Sequence, residues 1–312
     1  MLFLSREEVV RLLDLRELPD AVARAFVAYS QGHTSVPPRV AARAARGLLG
    51  AMPGYLPGVG LEMKVVSVFP GNHELGLPSH RGFIVLFGED EGEPLALMDG
   101  EHITAMRTAA GAAVAIKHLA RPDADIIAIL GAGALGHAHL ALLLLAGVFG
   151  EYRVASRNRE HAEALASLSP DARAVGSFEE AVRDADIVCC CTDSRSPIIS
   201  FDWLKNGAHV SSVGGSFGPE LDPDTVQLGR LFVEWRGAAS NPPPTGAHEL
   251  QGVEPERLTE LGEVISGVRP GRATIEEVTV YKSTGLAVED AAAAGMVYER
   301  ALREGAGMQL EL

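Results

Sequence analysis

Positive charge is scarce in this chain: its 312 residues carry 27 Lys and Arg against 41 Asp and Glu, a formal net charge of −14. A broad nucleic-acid or anionic-membrane surface needs clustered Lys and Arg, so the balance argues against both, while small anions stay open to local cationic sites. Cysteine is scarcer still, with three residues, all consecutive at Cys189, Cys190 and Cys191. Neighbouring side chains on a strand point to opposite faces and cannot pair conventionally, and no metal-ligand spacing surrounds them. They read as reduced, buried strand residues in a cytoplasmic protein, and no metal site is expected. A signal-peptide run is also missing, because "MLFLSREEVV" reaches Arg6 and Glu7 too soon; Ser5 and Glu8 fit a helix-opening capping box instead. The sequence shows neither an internal repeat nor a low-complexity tail.

What is present is an ordinary globular composition, 47% hydrophobic and 22% charged, with length enough for two domains. Residues Ile126 to Gly150 contain no Asp, Glu, Lys or Arg, long enough to span a bilayer, yet Gly131, Gly133, Gly136, His137 and His139 interrupt them. That pattern is a strand, a glycine turn and a helix. Before it come two amphipathic helices, Arg6 to Leu13 and Pro19 to Gln31, the second closed by Gly32. Strand-like runs "PRVAARAA", "GLLGAMPGY", "EMKVVSVF", "GFIVLFG" and "PLALMDG" follow, then a helix from Glu101 to Leu119. This predicts a mostly antiparallel α+β domain over 1–120, joined by a final helix within 286–312. From 121 to 285 strands and helices alternate as "DIIAIL", "YRVAS", "DIVCCCT", "HVSSVG", "RLFVEW" and "EVTVYKSTG", which predicts a parallel α/β domain of Rossmann type.

"DIIAILGAGALGHAH" sets Gly131, Gly133 and Gly136 as G-x-G-x-x-G between a strand and a helix. The first glycine permits the tight turn, the second lets backbone approach a pyrophosphate, and the third lets helix and strand pack closely. Backbone N–H groups of the turn, Gly131, Ala132, Gly133, Ala134, Leu135 and Gly136, together with the helix dipole, then favour the anion. The next strand ends in "VASRNRE", where an acidic residue would bind a ribose 2′-hydroxyl. Ser156, Arg157, Asn158 and Arg159 suit a 2′-phosphate better, so NADP(H) is the expected cofactor and NAD(H) the alternative.

Three cations stand in low-charge surroundings: Arg39 in "VPPRV", Lys64 in "LEMKVVSVFP" and Arg107 in "ITAMRTAAGAA". On period-two alternation Lys64 shares a strand face with Glu62, Val66 and Val68. One reading is an edge-strand lysine that blocks unwanted pairing; the other is a cation held against a substrate carboxylate.

The chain resembles the ornithine cyclodeaminase/mu-crystallin family over nearly its whole length. The resemblance rests on "PPR", "MKVVSVFPGN", "GLPSHRGFIVLF", "LALMDGEHITAMRTAA", "ILGAGALGHAH", "LGEVISGVRPGR" and "TVYKSTGLAVED". It implies a homodimer, with a substrate-binding and dimerisation domain rejoined by the C-terminus and a Rossmann domain between. It implies also that Arg39, Lys64 and Arg107 line the substrate pocket, that Thr108 reaches the cofactor phosphates, and that Thr192 lies near the nicotinamide end. Lys282 to Gly285 would lie close to the active site; Asp290 has structural packing as an equal candidate.

One departure bears on the reaction. Cyclodeaminases carry an aspartate after a Val-Gly-small run, where this chain reads "VGGSFGPEL" with Ser216, grouped here with the cofactor-side residues. A carboxylate is the natural base for a substrate's terminal amine, and a serine without an activating partner is a poor substitute. Ser216 and "PSH" at Pro78 to His80 are closer to the mu-crystallin, ketimine-reductase branch, with His80 either a pocket donor or a structural histidine. The expected activity is NAD(P)H-dependent reduction of small imines bearing an α-carboxylate, or a related amino-acid dehydrogenation, with Lys64 supplying or stabilising the proton. Ornithine cyclodeamination and non-catalytic ligand binding are the rivals.

Overall fold

The computed structural model describes residues 1–78, 80–147 and 149–311, with side chains except at 70, 73 and 74. Ser79 of "PSH" lies outside the described residues. The chain folds into two compact units, one of Met1–Arg107 together with Leu286 onward, the other Thr108–Gly285.

The first unit opens with β1 (Leu2–Leu4), α1 (Arg6–Leu12) and α2 (Leu18–Ser30). Ser5 and Glu8 form the expected reciprocal cap: the Glu8 N–H donates to the Ser5 hydroxyl at 3.3 Å and the Ser5 N–H to the Glu8 carboxylate at 2.8 Å. Gly32, at φ +74°, takes the left-handed position after α2. Strands β2 (Val40–Ala44), β3 (Gly47–Leu56), β4 (Gly60–Val68), β5 (His80–Phe87) and β6 (Pro94–Asp99) form an antiparallel meander, and α3 (Gly100–Leu119) leaves it. The division between the units runs through α3, between Arg107 and Thr108.

The second unit runs β7 (Ile126–Leu130), α4 (Ala134–Ala146), β8 (Glu151–Ala155), α5 (Arg159–Ala166), β9 (Ala172–Ala174), α6 (Phe178–Val182), β10 (Ile187–Cys190) and β11 (His209–Ser212). It continues through α7 (Pro223–Leu228), β12 (Arg230–Val233), α8 (Gly237–Ser240), β13 (Leu258–Glu260), α9 (Leu261–Ile265) and β14 (Thr279–Lys282). Among the described residues these eight strands make one parallel sheet in the order β13-β12-β14-β11-β10-β7-β8-β9. The order reverses between β7 and β10, so their carboxyl ends open the crevice at which doubly wound sheets bind ligands. The three cysteines lie in or beside β10, all buried, and burial pushes the Cys189 thiol up to about 12.

The chain returns to the first unit as α10 (Ala287–Glu304) and β15 (Met308–Gln309). Among the described residues that unit's sheet has seven strands in the order β15-β1-β6-β5-β4-β3-β2, antiparallel except for β1 beside β6. Helix α10 packs on β3, β4 and β5 and against α2. Its Ala291 to Ala294 are all buried, small enough to let the helix settle on the sheet. The sheet's other face keeps Leu49, Leu61 and Phe83 exposed.

Candidate active site

Strand β4 is interior, paired with β3 and β5, and Lys64 is only 4% exposed, so the edge-strand reading of this lysine is wrong; the edge of the sheet on that side is β2. Register places Lys64 between Met52 and Ile84 on the face covered by α10. Its Nζ donates to Asp290 Oδ2 at 2.7 Å. Arg107, two turns into α3 and equally buried, donates from Nε to Asp290 Oδ1 at 3.0 Å and from Nη1 to Glu289 Oε2 at 3.3 Å. Glu289 Oε1 in turn accepts from the Leu286 N–H at 2.6 Å, where α10 begins. Asp290 is therefore the acceptor that joins the two cations.

Burial pulls the Lys64 ammonium below its ordinary value, opposed by the Asp290 charge. Burial also works against the Asp290 charge, yet Arg107 and Lys64 together hold its carboxyl below the usual range. Glu62 shares the Lys64 face and is 2% exposed; burial first, then the Asp290 charge, pushes its carboxyl well above the ordinary range. Arg39 is half-buried on the connection before β2, which lies two strands from β4 in the sheet order. His80 opens β5 opposite Val68, on the Lys64 face, and is exposed, so it is not a core histidine.

In the second unit the turn after β7 takes the form its glycines require. Gly131 has φ +109°, and a Cβ there would stand 2.6 Å from the Cys191 carbonyl oxygen. A Cβ on Gly136 would stand 2.0 Å from the Gly131 carbonyl oxygen, while the space beside Gly133, which caps α4, is open. Ala132 is buried, Leu135 half-buried and Ala134 exposed at the first turn of α4. An open approach to backbone N–H groups at the amino end of a 13-residue helix fits a pyrophosphate. His139 is buried with Nδ1 2.7 Å from the Leu135 carbonyl oxygen, and burial pulls its pKa down to about 4, so it adds no cation there. Thr108, beside Arg107 on α3, is buried.

Beyond β8, Ser156, Arg157, Asn158 and His161 line an open cleft of about 410 Å³. The Asn158 side-chain oxygen is engaged as the cap of α5, accepting from the N–H groups of Glu160 at 2.9 Å and His161 at 3.4 Å. Arg157 pairs with Asp193 at 2.9 Å, both groups well exposed. Arg159 is not among the residues lining the cleft and pairs along its helix with Glu163 at 2.7 Å. His161, one turn into α5, is a lining residue that the strand-end pattern did not single out.

Two buried carboxylates organise the strand ends. Glu220 Oε1 accepts from the Thr192 N–H and hydroxyl, both at 2.7 Å, and Oε2 accepts from the Ser212 hydroxyl at 2.8 Å and the Gly214 N–H at 2.9 Å. Lys282, also buried, donates to Ser212 Oγ at 3.0 Å and the Gly214 carbonyl at 2.9 Å, and pairs with Glu249 at 3.2 Å. Glu234 accepts from the N–H groups of Thr284 at 3.0 Å and Gly285 at 2.8 Å and from the Ser283 hydroxyl. Glu220 thus ties the end of β10 to the end of β11, and Glu234 fixes the "KSTG" turn after β14. Ser216 is exposed on the loop between β11 and Glu220. Sequence reasoning missed Glu220, Glu234 and Glu289; the available signal was an isolated carboxylate in an apolar run, as in "LFVEW".

A family model described as the ornithine cyclodeaminase/mu-crystallin family matches residues 1–305. The ketimine reductase mu-crystallin of Mus musculus is 41% identical over 258 residues, covering 81% of this chain and 80% of that protein. The alanine dehydrogenase of Archaeoglobus fulgidus is 33% identical, covering 99% of this chain and 98% of its own. The Thermococcus litoralis Δ1-pyrroline-2-carboxylate reductase, solved with NADH and L-proline, superposes with a TM-score of 0.93 at 35% identity over 99% of this chain and 100% of that one. This chain belongs to the ornithine cyclodeaminase/mu-crystallin family.

Proposed function

We propose that the protein is an NAD(P)H-dependent reductase of small imines carrying an α-carboxylate, cyclic ketimines foremost. The observation that carries the reading is the buried Lys64–Asp290–Arg107 group, a proton donor and a guanidinium held rigidly on one sheet face. The first unit would be the substrate domain, with Arg107 and Arg39 orienting the carboxylate, and the second the dinucleotide domain. When bound, the nicotinamide supplies the hydride. Arg107 fixes the carboxylate so that encounter becomes a positioned transfer, and Lys64, its ammonium already disfavoured by burial, gives the nitrogen its proton. Relatives named for ketimine, pyrroline-carboxylate and alanine chemistry support a carboxylate-bearing C=N or CH–NH substrate. Serine at position 216 favours reduction over ornithine cyclodeamination, which needs a base for the terminal amine.

The cleft of Ser156, Arg157, Asn158 and His161 supports NADPH as the preferred cofactor, with Arg157 exchanging exposed Asp193 for a 2′-phosphate. Buried, reduced cysteines support a cytoplasmic site of action. The exposed apolar sheet face supports a homodimer with a second copy of the chain as occupant. The decisive experiment mixes the protein with NADPH or NADH and pyrroline- and piperideine-carboxylates, α-keto acids with amines, and ornithine, following nicotinamide absorbance and ammonia together. Cyclic imine reduction with NADPH preferred is the expected outcome. Ammonia from ornithine without net nicotinamide turnover would replace this reading with cyclodeamination.

A further inference from the structure

Glu62 takes no part in the chemistry above. It is 2% exposed, and neither carboxyl oxygen has a hydrogen-bond partner among the described residues. An ionised carboxylate in that condition is far costlier than the neutral acid. Its surroundings are shaped to admit it: Glu62 lies opposite Gly54 on β3, where a Cβ would stand 3.3 Å from Glu62 Oε1 and 2.7 Å from the Ala287 Cβ of α10. The other cross-strand neighbour is Leu86 on β5. The charged groups around Glu62 are Lys64 on its own strand, Arg107 on α3 and Asp290 on α10, with Glu289 bound to the same Arg107. Lys64 and Arg107 are already matched by Asp290 and Glu289, so a charge on Glu62 would leave the group negative in surplus.

Resting on the reductase reading, we propose that Glu62 is a positioning residue that acts through Lys64 as its proton reserve. As hydride reaches the imine carbon and the C=N π bond opens, Lys64 Nζ gives one proton to the nitrogen and becomes a neutral amine. The Glu62 carboxyl proton then passes to that amine, leaving ammonium and carboxylate, and a solvent proton returns to Glu62. One hydride and one proton enter for each bond reduced, and the reduced nicotinamide is the only reductant. The two side chains stand one strand repeat apart on the same face, about 7 Å along the backbone, a span closed by rotation of the glutamate or by one bridging water.

The test compares the full-length wild type with Glu62→Gln and, as an apolar check, Glu62→Met, using NADPH and a pyrroline-carboxylate. In both variants rapid mixing should show a first turnover at the wild-type rate, because Lys64 starts protonated. Steady-state kcat should fall on the order of 10–100-fold with KM little changed, and a small carboxylic acid in the buffer should restore part of the loss. Infrared spectra without substrate should show a protonated carboxyl stretch in the wild type that both variants lose. Absence of that band, unchanged steady-state turnover, or an equal fall in first and later turnovers would each overturn the proposal. A wild type that reduces no imine defeats the reductase reading and the relay together, while the infrared band reports separately whether Glu62 carries a proton.

Discussion

Lys64 couples fold and chemistry in a single side chain, since its ammonium is both the partner of Asp290 and the proposed proton donor. Lys64→Ala leaves Asp290 buried without its ammonium partner, so unfolding by denaturant should show a loss of about 3–5 kcal/mol. Initial rates of imine reduction should fall about 10²–10⁴-fold in the same variant; a ligand-binding protein without catalysis would lose only the stability. Glu62 makes a second prediction through pH. Its folded carboxyl holds a proton well above the ordinary value of 4.5, so between those two values the folded state binds more protons than the unfolded. Its contribution to stability is whole below 4.5 and is lost as pH rises through the folded value. Melting curves of Glu62→Gln and wild type should therefore lie closest in acid, with the variant gaining steadily as pH rises above 4.5. The sequence picks out Lys64 and Arg107 as cations among apolar residues, but not their acceptor. Asp290 is 226 positions from Lys64, and no local pattern reports a contact brought about by helix docking.

Among the elements, the turn from β7 to α4 was legible residue by residue because its constraint is steric and local. Gly136→Ala would press a methyl against the Gly131 carbonyl, forcing α4 off the strand end. Equilibrium titration should then show at least about 10-fold weaker dinucleotide binding, more than the roughly 1.4 kcal/mol that such a factor represents being available from the clash. The long strands and helices were legible for the same reason, as alternation and helical periodicity are properties of a few consecutive residues. Strands β1, β9, β13 and β15 were not, since pieces of two or three residues carry too little pattern to register. Nor were the roles of Glu220 and Glu234, each of which joins backbone groups from segments that meet only once the sheet is assembled.

For the whole molecule, the face of the seven-stranded sheet away from α10 carries exposed Leu49, Leu61 and Phe83, with Val65, Met63 and Val85 half-buried between them. An apolar face of that kind is what a second copy would cover, and Phe83→Asp should convert a dimer into a monomer by light scattering while the cofactor turn, in the other unit, keeps its affinity. The sequence by itself determined the dinucleotide turn, the parallel character of the second unit's strands and the family, because each rests on short motifs whose physics is local. Tertiary structure decided that Lys64 lies inside a sheet rather than at its edge, that Asp290 joins it to Arg107, and that Glu62 is buried beside them. Those facts depend on which strands flank β4 and where α10 returns, and burial is set by the assembled neighbours rather than by the residue that is buried.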